Sequence, residues 1–149
     1  MTSWAEFAGA EPDFAARVKA IFDLQKHKTM ATLRKDGSPR ISGTEIEFSG
    51  DELMVGSMPG AVKAFDLQRD PRLAIHGPAI DPPDGNPTLW VGDAKIAGRA
   101  VPASGEMPGA HYFRVDITEV VLTKVGDPPD HLVIESWHPD RGYRRVQRE

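Results

Sequence analysis

Short segments with a two-residue period, separated by turn sequences, constrain the fold of this chain more than any other feature. From Lys28 to Arg34 and from Arg40 to Phe48, side-chain character alternates as it does in strands. Between them lies Lys35-Asp36-Gly37-Ser38, whose Asp-Gly centre is typical of a hairpin turn. A third strand is predicted from Glu52 to Ser57. This part of the chain is therefore expected to form an antiparallel meander.

Two helices and four further strands complete the predicted element order. The clearest helix runs from Pro12 to Leu24, where apolar residues form one stripe at helical spacing. A short helix is predicted over Ala61–Arg69. The later strands are predicted at Arg72–His76, Ala94–Val101, His111–Val125 and His131–Trp137. In the longest of these the apolar parity changes between Ile117 and Val120, which predicts a bulge or a barrel corner.

Many short antiparallel strands at this spacing favour a closed barrel with helices over its openings. The expected fold class is mainly β (α+β), with an N-terminal helix and a short helix after the third strand. No repeat or linker is visible, so residues 1–149 are expected to form one domain, with a helical segment at 1–26 and an arginine-rich tail at 138–149. The loop Pro78–Asp93 is long enough to suggest a role in binding.

Composition excludes several classes of function. The net charge of −4 argues against a nucleic-acid-binding surface, and the absence of cysteine excludes disulfides and thiolate chemistry. No apolar run approaches the roughly 18 residues that a membrane span needs. The first residues lack the basic and apolar regions of a signal peptide. A cytoplasmic protein without membrane or nucleic-acid partners is therefore expected.

The segment from Val55 to His76 contains a candidate anion site. It is predicted to run from a strand end through a Pro-Gly turn into the short helix, whose first N–H groups are unpaired and suit a phosphate group. Ser57 adds a hydroxyl at the strand exit, and Lys63 adds a cation one turn into the helix. The alternative is that this Ser and Lys bind nothing, since such pairs are common.

A second polar feature lies on the strand that starts at Arg40. Alternate positions carry Arg40, Ser42 and Thr44 and then turn apolar, as expected where a strand leaves the core and meets a polar ligand. A strand that projects into water would show the same pattern. The five histidines are scattered without metal-ligand spacing, and no nucleophile motif is present, so neither a metal site nor a catalytic side chain is predicted.

The C-terminal tail from Trp137 to Glu149 concentrates four arginines. It is interpreted either as a frayed, solvated end or as an arm that brings an aromatic ring and guanidinium groups to an anionic ligand, on its own or on a partner subunit.

Three segments carry a family resemblance: Met30 to Arg40, the Gly56-Ser57 strand exit, and Lys63 to Arg72, which reads Lys-Ala-Phe-Asp-Leu-Gln-Arg-Asp-Pro-Arg. In order and spacing they resemble the pyridoxamine 5'-phosphate oxidase-related FMN-binding split-barrel family. Within it they are most similar to the actinobacterial flavin- or deazaflavin (F420)-dependent oxidoreductases. The likeness covers most of residues 14–125.

The resemblance implies a six- to seven-stranded antiparallel split barrel that forms a homodimer and holds FMN or F420 at the subunit interface. The implied cofactor-binding residues are, along the ring system, Met30, Thr32, Arg40, Ser42 and Thr44; at the phosphate, Ser57 and Lys63, supported by Arg69 or Arg72; and from the second subunit, Trp137 with Arg144 or Arg145. Many FMN-binding members have a further basic residue where this chain has Ala61, which keeps F420 open.

The leading functional expectation is an FMN- or F420-dependent oxidoreductase that transfers a hydride to or from a small organic substrate. The cofactor would supply the chemistry and the protein would orient it. The alternative is a non-catalytic carrier or binding protein for a flavin, haem or similar planar ligand. An oligonucleotide-binding barrel is disfavoured by the negative charge and the two tyrosines.

Overall fold

The computed structural model describes residues 1–149 and begins with two short helices. In α1 (Trp4–Ala10), the backbone N–H of Glu6 donates to the Ser3 hydroxyl at 3.1 Å, which caps the helix start. α2 (Pro12–Phe22) begins with proline, which suits a first helical turn because its missing N–H has no helical partner there. α2 ends at Phe22, before the predicted end at Leu24.

Nine strands form one antiparallel sheet. In chain order they are β1 (Lys28–Leu33), β2 (Pro39–Thr44), β3 (Ile46–Ser49), β4 (Glu52–Ser57), β5 (Arg72–His76), β6 (Asp93–Ala103), β7 (His111–Val125), β8 (Leu132–His138) and β9 (Gly142–Arg148). The helix α3 (Val62–Arg69) lies between β4 and β5. The predicted fold class, an α+β split barrel, is confirmed. The structure has nine strands where seven were predicted. The predicted strand from Arg40 to Phe48 is interrupted at Glu45, and the C-terminal tail forms the additional strand β9.

The strand order shows where the barrel is open. Neighbouring strands follow the order β2-β1-β5-β6-β7-β4-β3, and β8 and β9 extend from β7. β2 and β3 stand at opposite ends of this order, although only Glu45 separates them in the chain. β2 therefore comes back beside β4 without forming a ladder with it. The sheet is split at this point.

The bulge predicted in β7 is present. Pairing between β6 and β7 shifts between Ala97 and Gly98, which leaves Thr118 of β7 without a partner on β6. An extra residue of this kind bends and twists a strand, as a barrel corner requires. Gly98 allows the close approach, since a Cβ atom at this position would lie 2.2 Å from the backbone oxygen of Asp116.

The core fills the space between the inner faces of the strands and the two N-terminal helices. Its completely buried side chains include Phe7, Val18 and Phe22 from the helices. The ring of Phe7 lies 4.9 Å from that of Trp137, centroid to centroid. The helices thus close one side of the barrel, and the split remains open. No helix combines the length and the apolar character needed to cross a bilayer.

The C-terminal segment forms β9, which pairs with β8 along its whole length, so it is not frayed. The Tyr143 hydroxyl donates to Glu135 at 2.5 Å, and the Tyr143 ring meets Phe14 of α2 edge-on. Arg17 of α2 binds the same carboxylate with two hydrogen bonds, of 2.8 and 2.6 Å. These contacts attach the last hairpin to α2. Neither interpretation of the tail from sequence included this strand.

Candidate functional site

A cleft of about 450 Å³ lies at the split of the barrel, between the ends of β2 and β4 and the start of α3. This volume falls in the range of small-molecule sites, which is roughly 300–1,000 Å³. The wall combines apolar and charged side chains from every element that borders the split. The lining residues are His27, Gly43, Thr44, Glu45, Ile46, Glu47, Met54, Gly56, Ser57, Met58, Lys63, Met107, Ala110 and Tyr112.

The start of α3 is open toward ligands. The chain leaves β4 through a turn in which the Ala61 N–H donates to the Met58 carbonyl, and Gly60 takes a positive φ of 79°. Ala61 then occupies the N-cap position, where no side chain accepts from the first helical N–H groups. The partial positive charge of a helix N-terminus attracts anions. The first N–H groups of α3 therefore have no side-chain acceptor at the N-cap.

Lys63 lies on the cleft side of α3. Its Nζ donates to the backbone carbonyl of Gly43 on β2 at 2.7 Å, so the side chain crosses the split. Partial burial lowers the pKa of the Lys63 ammonium from 10.5, and the charge of Glu45 works in the opposite direction. One carbonyl occupies one of three ammonium hydrogens, which leaves donors for an anion in the cleft.

Ser57 and Thr44, two of the predicted cofactor-binding residues, also line the cleft. Ser57 ends β4, and its hydroxyl makes only a long hydrogen bond, 3.4 Å, to the backbone oxygen of His111. Thr44 is 3% exposed, and its hydroxyl donates to the Glu45 carbonyl, also at 3.4 Å. Both hydroxyls are weakly engaged, since strong O–H···O bonds are 2.5–3.0 Å long. Ser57 and Thr44 thus join Lys63 around one space.

Two carboxylates that line the cleft were not predicted as part of a site. Glu45 lies between β2 and β3, Glu47 lies in β3, and both line the cleft. Glu45 lies 3.7 Å from the Lys26 ammonium and 3.5 Å from His27 Nε2. From the sequence these carboxylates looked like a solvated face, because the break at Glu45 that turns them into the cleft was not foreseen. The cleft is therefore lined both by the Lys63 ammonium and by two carboxylates.

A second group of the predicted residues gathers around Asp66, on another face of α3. The Asp66 carboxylate is 2% exposed and accepts hydrogen bonds from the Thr32 hydroxyl at 2.8 Å, Arg40 Nε at 2.7 Å and Arg69 Nη2 at 3.0 Å. Burial acts to raise the pKa of Asp66, but these hydrogen bonds outweigh it, and the pKa lies below its usual 3.8. Arg40 and Arg69 also line a groove beside Val62.

Asp66 was not among the predicted site residues. For a charged residue on a short helix, no sequence signal distinguishes a buried carboxylate with several hydrogen-bond donors from a solvated one. Its three partners come from β1, β2 and α3, which meet only in the folded barrel.

The other predicted residues lie away from the cleft. Met30 is fully buried in the core, and Trp137 is 6% exposed and packs against Phe7 within its own protomer. Arg72 forms an ion pair with Asp70 on the surface. The last three predicted residues are Ser42, which is half-buried on β2, and Arg144 and Arg145, which are exposed on β9. The structure also brings no three potential metal-ligating side chains together.

Comparisons with known proteins support the fold. No family model and no curated protein matches the chain. Among solved structures, it is similar to a pyridoxamine 5'-phosphate oxidase-related, FMN binding protein from Nostoc punctiforme, with a TM-score of 0.65 and 10% identity, over 93% of this chain and 96% of that one. It is also similar to PhzG from Burkholderia lata, in complex with tetrahydrophenazine-1-carboxylic acid, with a TM-score of 0.64 and 11% identity, over 92% and 88%.

A third similar structure is an F420 reductase, with a TM-score of 0.50 and 14% identity, over 67% of this chain and 92% of that one. Identities this low establish a shared fold and leave activity open. The chain therefore has a pyridoxamine 5'-phosphate oxidase-like fold.

Proposed function

We propose that this protein is an oxidoreductase that binds FMN or F420 in the cleft at the split of the barrel. The observation that carries the proposal is the open start of α3, with Lys63 and Ser57 beside it at the end of a cleft of about 450 Å³. An N-terminal helix dipole, an ammonium and a weakly engaged hydroxyl suit the phosphate group that both cofactors carry.

The residues fit such a cofactor. Lys63 and Ser57 would hold the phosphate, and the Thr44 hydroxyl would border the ring system. Arg40 and Arg69 are held in fixed orientations by Asp66 and keep N–H donors for further anionic groups. Arg72 and Arg144 remain candidates only at the periphery, because both are exposed away from the cleft. When bound, the cofactor would supply the hydride chemistry.

The protein's own part is to bind, to orient and to exclude water. The apolar side of the cleft lowers the local dielectric, which strengthens the contact between Lys63 and an anion. No side chain is assigned as a nucleophile.

We also propose that the protein is a homodimer with the cleft near the subunit boundary. Three large apolar side chains next to the cleft are exposed: Met58 (67%), Val62 (54%) and Phe65 (48%). Apolar patches of this kind often mark protein interfaces. Trp137 has no part in this interface, because it is buried in the core of its own protomer.

The residues at the start of α3 bear on whether the cofactor is FMN or F420. Ala61 contributes no second cation beside Lys63, so the phosphate meets a single ammonium. Together with the resemblance to the actinobacterial F420-dependent group, this favours F420 over FMN.

The test is to titrate the purified protein with FMN and with F420 and to follow absorbance and binding heat. We expect micromolar binding of at least one cofactor, and at least tenfold weaker binding by the Lys63→Ala variant. Lys95→Ala, which removes an exposed lysine on β6, is the matched control and should bind like wild type. Failure of both cofactors to bind wild type would refute the proposal.

A second measurement separates an enzyme from a carrier. The bound cofactor is reduced without oxygen and mixed with menadione, and its reoxidation is compared with that of free reduced cofactor. An oxidoreductase should accelerate reoxidation by orders of magnitude. Tight binding without acceleration would instead indicate a carrier of planar ligands.

A further inference from the structure

Tyr112, at the start of β7, occupies a slot formed by two glycines. Gly56 on β4 is its cross-strand partner, and a Cβ atom there would lie 3.3 Å from one edge of the Tyr112 ring. On the other edge, a Cβ atom at Gly105 would lie 2.4 Å from the ring. Since real Cβ contacts are not this short, the second position needs glycine while the ring is in place. The ring therefore has one orientation between β4 and the loop that precedes β7.

The Tyr112 hydroxyl ties that loop to the barrel. The backbone N–H of Met107 donates to the hydroxyl oxygen at 3.0 Å. A Cβ atom on Gly109 would lie 3.7 Å from the Pro59 ring, so the loop also reaches the turn before α3. Residues 104–110 lie between β6 and β7 and are otherwise mostly exposed. Tyr112 is thus the main anchor of this segment.

The anchored segment forms one wall of the cleft. Met107 and Ala110 line it together with Met54, Met58 and the Tyr112 ring. Thioether and aromatic side chains adapt to flat, polarizable surfaces and contact them favourably. Glu45 and Glu47 also line the cleft, and their negative charges oppose the binding of an anionic substrate.

We propose that Tyr112 is a positioning residue that fixes segment 104–110 as a specificity wall, and that this wall selects an uncharged, planar organic substrate. The inference rests on the proposed function, because it assigns the substrate class of the same cleft. Met107 supplies the direct contact to the substrate, and the Tyr112 hydroxyl holds Met107 in reach. The phosphate-binding end of the cleft is not involved.

The test uses the protein loaded with its oxidised cofactor and two probes, 1,4-naphthoquinone and the anionic 1,2-naphthoquinone-4-sulfonate, measured by calorimetry. We expect the neutral quinone to bind at least tenfold more tightly than the sulfonate. Met107→Ala should weaken quinone binding about tenfold, and Tyr112→Phe about threefold, as the loss of one contact side chain and one hydrogen bond implies. Leu24→Ala, which removes an exposed leucine outside the cleft, should change nothing.

A general loss of stability in Tyr112→Phe would not produce the next result. Hydrogen exchange should show the Met107 amide exchanging several-fold faster in Tyr112→Phe, while core amides and the melting temperature remain as in wild type. Cofactor affinity should change less than quinone affinity in both variants, because neither residue lies at the phosphate-binding end of the cleft. Quinone affinity equal to wild type in both variants, or equal affinity for the two probes, would overturn the proposal.

The two proposals fail separately. Wild type that binds neither FMN nor F420 refutes the proposed function; the same variants are then measured on the unloaded protein, where weakened quinone binding still supports the wall. Normal cofactor binding with unaltered quinone affinity refutes the wall alone.

Discussion

Replacing Asp66 by alanine tests whether the helix that carries the anion site is held by a buried charge. The substitution removes two charge-assisted hydrogen bonds, from Arg40 and Arg69, and leaves the buried Thr32 hydroxyl without an acceptor. Hydrogen bonds to charged groups contribute about 1.5–3 kcal/mol each, and an unsatisfied buried hydroxyl costs about 1–3 kcal/mol.

The net loss is smaller than this sum because the guanidinium groups regain water. The side chains of Arg40 and Arg69 are 26% and 38% exposed. We therefore expect the free energy of unfolding to fall by about 3 kcal/mol, which for a chain of this length lowers the melting temperature by roughly 10 °C. Calorimetry and urea unfolding measure both quantities. Asp81→Ala, in the exposed loop after β5, is the matched control and should unfold like wild type.

The same carboxylate gives a pH dependence with a defined sign. Because the pKa of Asp66 is lower in the folded protein than its usual 3.8, the unfolded chain binds the proton more readily. The stabilisation is therefore complete above about pH 4 and is lost as pH falls through the folded value. Asp66→Asn should lack this acid-dependent part. If the free energy of unfolding of Asp66→Ala lies within 1 kcal/mol of the wild-type value, the stabilising role of this carboxylate is refuted.

Three further predictions concern other parts of the molecule. Glu135→Gln weakens the charge-assisted bonds from Arg17, so the last hairpin should be cleaved faster in limited proteolysis, and a cleavage rate like that of wild type would contradict this role. Gly98→Ala places a Cβ atom 2.2 Å from the Asp116 oxygen and should destabilise the fold by more than about 2 kcal/mol in urea unfolding; a loss below 0.5 kcal/mol would contradict the close approach. Because burial lowers the pKa of Lys63, phosphate-dependent cofactor binding should weaken at a pH below 10.5, whereas Lys63→Arg should bind equally well up to that pH.

Local patterns made much of the fold predictable. β4, β5 and β7 begin and end at the predicted residues, because strand alternation and turn residues are both local signals. The bulge in β7 was also visible, since an extra residue changes the parity of apolar positions. The break at Glu45 was not, because no glycine or proline marks it.

The parts that escaped prediction depend on contacts distant in sequence. The pairing of β9 and its attachment by Tyr143 require Glu135 and Phe14, and an arginine-rich tail shows no strand pattern of its own. Some predicted ligand residues line the cleft and others bind Asp66, because alternate residues of β2 lie along the full length of the split. Thr44 is in the first group and Arg40 in the second. Sequence spacing identifies their shared face but not which helix covers it.

The central claim is that the start of α3 holds the phosphate of a planar cofactor. The most direct measurement compares the affinity of wild type for FMN with that for riboflavin, and for F420 with that for its phosphate-free chromophore. Our account predicts that at least one phosphorylated form binds tenfold or more tightly than its partner, and that Lys63→Ala removes this difference. Equal affinities for the phosphorylated and phosphate-free forms in wild type would contradict it.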